Sequence, residues 1–108
     1  MYLIVELRRG DIVQTWAATL THEGAYARLA AIQAHVMNDS RSWWKVVYVP
    51  NPPDMNIREG NHYYIAVSVD WEEDNDFLFV GMFDQLELAP PNIRDNADIW
   101  IDQVCLTH

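Results

Sequence analysis

The chain has 108 residues with 7 Lys+Arg against 16 Asp+Glu, a single cysteine, and hydrophobic residues making up 50%. That length fits one domain over 1–108, and the apolar content excludes a disordered chain. One cysteine, Cys105, excludes an internal disulfide or a cysteine-rich zinc site. The first residues (Met1, Tyr2, Leu3, Ile4, Val5, Glu6) lack a basic segment, and their apolar run is too short for a signal peptide or a membrane span. The expectation is a soluble, cytoplasmic domain.

Residues 2–8 and 12–20 flank the turn signal Arg9-Gly10-Asp11 and read as a β-hairpin, with Leu3, Val5 and Leu7 on one face. Thr21 is placed to cap a helix whose first turn holds Glu23. Ala25, Leu29, Ile32 and Val36 then follow helical spacing, so the segment reads as amphipathic. Asn38-Asp39-Ser40 ends it. Leu29, Ile32 and Val36 are expected to pack on Val5, Ile65, Val67 and Val69.

Trp43 to Val49 reads as a strand, stopped by Pro50-Asn51-Pro52-Pro53-Asp54 and followed by a loop. Residues 62–71 alternate cleanly, with Tyr63, Ile65, Val67, Val69 and Trp71 on one side. A turn at 72–76 returns the chain as a strand from Phe77 to Phe83, with Gly81 marking a bulge. Asp84 to Leu88 extends that strand or forms a short one, and Ala89-Pro90-Pro91 breaks it. Residues 97–106 fit either a strand or a short helix, with strand preferred for Ile99-Trp100-Ile101 and Val104. The expected fold is α+β in the order β-β-α-β-β-β, with one more strand allowed. Its mainly antiparallel sheet of five to six strands carries one amphipathic helix on one face.

Enzyme signatures fail where they can be checked. The four glycines (10, 24, 60 and 81) are too scattered for a phosphate loop. His22-Glu23 begins a zinc-protease string, but position 26 is tyrosine. Cys105 would need His62 or His108 beside it to act as a nucleophile, and a cysteine in an apolar run is more often a small buried hydrophobe. No catalytic residue, metal ligand or cofactor is therefore assigned.

Charge is the informative feature. Residues 1–54 hold five cations and five carboxylates, whereas residues 55–108 hold Arg58 and Arg94 against eleven carboxylates, a net of −9. Such a chain repels nucleic acid and anionic lipid, and its electrostatic complement is a basic protein surface. Asp70, Glu72, Glu73, Asp74 and Asp76 place five carboxylates within seven residues, flanked by Trp71 and Phe77. A calcium loop is excluded, since position 75 is asparagine and Gly81 stands where the bidentate glutamate belongs. The bland alternative is a solvated hairpin tip. Adjacent Trp43-Trp44 and Tyr63-Tyr64 must point to opposite sides of a sheet, so some of these rings need a further cover.

Asp70, Trp71, Glu72, Glu73, Asp74, Asp76 and Phe77 are thus the expected partner-binding residues. The expected function is a small acidic, non-enzymatic inhibitor docking on the basic groove of a nucleic-acid-processing protein. Anti-restriction and anti-CRISPR inhibitors and nuclease-immunity proteins work this way, although the comparison is one of composition and no motif here carries it. The alternative is a small ligand- or metal-binding accessory domain, with a homodimeric enzyme left open.

Overall fold

The computed structural model describes residues 1–8, 11–35, 42–70 and 76–108, with only the main chain described at 11–13, 70 and 76. The elements are β1 (Tyr2–Arg8), β2 (Asp11–Thr19), α1 (His22–His35), β3 (Ser42–Tyr48), β4 (His62–Asp70), β5 (Asp76–Phe83), α2 (Pro91–Arg94) and β6 (Trp100–Thr107). One six-stranded sheet runs in the order β3-β1-β2-β6-β4-β5. All pairs are antiparallel except β2 with β6. This is the expected α+β order, and the ambiguous C-terminal segment supplies the additional strand. That strand joins the two parts of the sheet.

The sheet curls around its own core. Leu3, Val5 and Leu7 of β1 share one buried cluster with Tyr63, Ile65, Val67 and Val69 of β4 and Met82 of β5. Val49, Met55 and Ile57, from the connection between β3 and β4, fill the same space. The Tyr63 hydroxyl accepts a hydrogen bond from the Arg58 main-chain N–H (3.0 Å), which fixes that connection over the core. Register shifts bend the strands as the curl requires. One makes Trp16 an extra residue between Ala17, paired with Ile4, and Thr15, paired with Val5. Another makes Val80 extra beside Gly81, at the bulge that the glycine marks.

The helix starts as expected. The Thr21 hydroxyl accepts from the Gly24 N–H at 3.0 Å and donates to the His108 carbonyl at 2.8 Å. A β-carbon on Gly24 would lie 2.3 Å from that carbonyl oxygen, so the close approach of the β6 end requires glycine there. What the helix covers is not as expected. It packs over the outer side of β1 and β2, where Ile4, Ala17 and Ala25 are buried outside the main cluster. Leu29 and Ile32 are only half-buried, and Val36 lies outside the described residues. Val5, Ile65, Val67 and Val69 point the other way, into a space that the curled sheet and the 49–57 connection fill without the helix.

The segment after β5 also departs from expectation. Leu86–Leu88 form a single 3-10 turn rather than a strand, and Pro91 opens the short α2. Among the described residues no helix is long and apolar enough to cross a membrane.

Candidate interaction surface

The order of strands turns the charge asymmetry of the sequence into an asymmetry of the molecule. β3, β1 and β2, with α1, come from the half whose charges cancel. β6, β4 and β5 come from the half that carries the net −9. The two meet along β2 and β6, where Ala18 pairs with Leu106 and Thr19 with Thr107.

Within the acidic half, the connection from β5 to β6 crosses the outer side of β4 and β6. The Ser68 hydroxyl ties it down by donating to the Asp98 carbonyl at 2.9 Å. Asp84, Glu87, Asp95 and Asp98 stand exposed on this connection, and Glu59 is exposed at the turn before β4. Sequence reasoning passed over these carboxylates because they are spaced singly among prolines and leucines. Asp102 is different: it is half-buried and accepts the Thr15 main-chain N–H at 2.9 Å.

Of the expected binding residues, Asp70 ends β4 and Asp76 opens β5. The main chains of these two residues pair directly, as the last pair of the β4–β5 ladder. Trp71, Glu72, Glu73 and Asp74 lie outside the described residues, as do the side chains of Asp70 and Asp76. Phe77 is half-buried against the core rather than presented outward.

The paired aromatics divide between the two sides of the sheet. Trp43 lies opposite Leu7 and Trp44 opposite Glu6 in adjacent pairs of the β1–β3 ladder. Trp43 stays 39% exposed, while the Trp44 ring lies 5.6 Å from that of Trp16. The Trp16 Nε1–H donates to the largely buried Glu6 carboxylate at 3.1 Å, giving a charge that has left water a partner. Tyr63 is a core residue. Tyr64 instead lines a shallow cleft of about 310 Å³ with Leu86, Arg94, Ile99, Ile101 and Gln103, beneath the acidic connection.

His62 and Cys105 are direct cross-strand partners in the β4–β6 ladder, a proximity that their sequence separation conceals. The Cys105 thiol is half-exposed, and its nearest acceptor is the Gly60 carbonyl at 3.7 Å. Among the described residues no three His, Cys, Asp or Glu side chains converge to hold a metal ion.

Comparison with family models, with curated proteins and with solved structures yields no match to this chain. Any functional reading therefore rests on the geometry and charge of this molecule alone.

Proposed function

We propose that the protein is a small acidic, non-enzymatic inhibitor whose C-terminal half docks on a basic, nucleic-acid-binding surface of a partner protein. One observation carries this reading: the whole of the −9 charge belongs to the half of the sheet built by β6, β4 and β5. Solubility requires net charge but not its confinement to one side, whereas steering onto a basic surface does require it. Carboxylates spread along the β5–β6 connection, together with those at 70–76, offer lysines and arginines the charge that phosphates otherwise supply. The protein then occupies the partner's groove and excludes nucleic acid from it, in the manner of anti-restriction, anti-CRISPR and nuclease-immunity proteins.

The test is capture of partners from extract of the native host on immobilised protein. The retained partner is expected to be basic, to be released as salt is raised from about 0.1 M to about 1 M, and to be displaced by duplex DNA. Retention of an acidic partner that neither salt nor DNA displaces would contradict the proposal.

A further inference from the structure

The outer side of the neutral half carries a run of rings that the acidic surface does not use. Tyr48 and Tyr2 are cross-strand partners with ring centroids 5.3 Å apart. Tyr2 meets His22 edge-on at 5.5 Å, and His22 meets Tyr26, one helical turn further, at 4.7 Å. The rings thus form a continuous strip from the edge strand β3 across β1 to α1. Its two ends stand in water, Tyr48 being 64% and Tyr26 51% exposed. Along β3 the same side holds Val46 and Trp44, each half-buried. Tyrosine is among the side chains that anchor interfaces.

Charge indicates what covers it. A strongly basic partner is drawn to the half that holds the excess carboxylates, not to this one. For two copies of a chain with net charge −9, contact through the acidic halves is opposed by like charge. Contact through the neutral half carries no such penalty and points the acidic halves away from each other. A strip of tyrosine and histidine rings is also chemically complementary to itself, as a two-fold interface requires, since the same patch must serve on both subunits. Lys45 at the centre of β3 disfavours direct pairing of two β3 edges, where it would approach its own copy. The faces meet instead.

We propose that a second copy of this chain docks on the Tyr48–Tyr2–His22–Tyr26 strip, forming a symmetric dimer with both acidic halves exposed at its outer ends. The dimer stands independently of the partner reading, because each acidic half remains free whether or not it has a target.

Sedimentation velocity over protein concentrations from about 5 µM to about 500 µM tests it, a range suited to an interface at the small end of the size scale. The mass of the wild-type species is expected to rise from 12.6 kDa towards twice that value. A variant carrying Tyr26→Ser and Tyr48→Ser should keep its circular dichroism spectrum, since both rings are exposed, and should weaken the dimer at least about tenfold. Leu78→Ser, on β5 of the acidic half where Leu78 is 47% exposed, should leave dimerisation unchanged. Raising salt from about 0.1 M to about 1 M should strengthen the dimer or leave it as it is, the reverse of the response of an acidic surface on a basic partner. A wild-type chain that stays monomeric throughout would overturn the proposal. So would a folded double variant that dimerises like wild type, or a dimer lost on Leu78→Ser.

Discussion

The Asp102 carboxylate accepts the main-chain N–H of Thr15 at 2.9 Å, so a side chain of β6 completes the bonding of β2 where the parallel ladder between them does not reach. This bond crosses the join between the neutral and acidic halves. Removing it leaves a backbone donor without its acceptor. Asp102→Ala should therefore cost about 1–3 kcal/mol in urea denaturation, with Asp102→Asn recovering part of the loss. Asp102→Ala at wild-type stability would mean that the join holds without this contact.

The hydroxyl of the same Thr15 has the opposite status. It is buried and makes no hydrogen bond among the described residues. Thr15→Val keeps the branched shape and removes a desolvated polar group, so it should stabilise the fold by about 1 kcal/mol. A lower denaturation midpoint for the variant would contradict this.

Two apolar truncations should separate the core from the helix cover. Ile65→Ala opens a cavity at a fully buried position of the central cluster and should cost about 2–5 kcal/mol. Leu29→Ala removes a half-buried side chain outside that cluster and should cost no more than about 1–1.5 kcal/mol. Equal losses in the two variants would place the helix in the main core after all.

The Met1 ammonium donates to the Val49 carbonyl at 2.9 Å and to Asn51 Oδ1 at 3.0 Å, and burial lowers its pKa from the ordinary 8.0. Between the lowered value and 8.0 the folded chain binds fewer protons at this amine than the unfolded chain does. Its contribution to stability therefore rises with pH through that interval and levels off above 8.0. Denaturation midpoints of free and N-terminally acetylated protein should diverge in slope across the interval, with the free amine giving the steeper rise. Identical slopes would remove the amine from the account.

Much of the fold is legible in the sequence because its signals are local. The alternation from Tyr63 to Val69, the proline stop at Pro50 and the Thr21 cap each act over a few residues, and each appears where the residues direct. The partner of each face is not local. The spacing of Ala25, Leu29 and Ile32 does make a helix, but which side of the sheet it covers depends on the curl and on Met55 and Ile57 arriving from a distant loop. Trp100, Ile101 and Val104 fit two periodicities, and pairing with both β2 and β4 decides for a strand. The same limit governs the candidate site. The run at 70–76 is conspicuous in the sequence, whereas Asp84, Glu87, Asp95 and Asp98 share a surface only because their segment crosses the outer side of the sheet.

The acidic surface is tested most directly by surface plasmon resonance against the captured partner across a salt series. The wild-type on-rate should fall as the Debye length shortens from about 10 Å at 0.1 M towards about 3 Å at 1 M. Replacing Asp84, Glu87 and Asp95 by Lys, or Glu72, Glu73 and Asp74 by Lys, should slow association well beyond the matching Ala variants. Folding should be little changed at the exposed first set. An on-rate that is independent of salt and equal for wild type and both Lys variants would mean that the confined charge keeps the protein in solution and guides it to no partner.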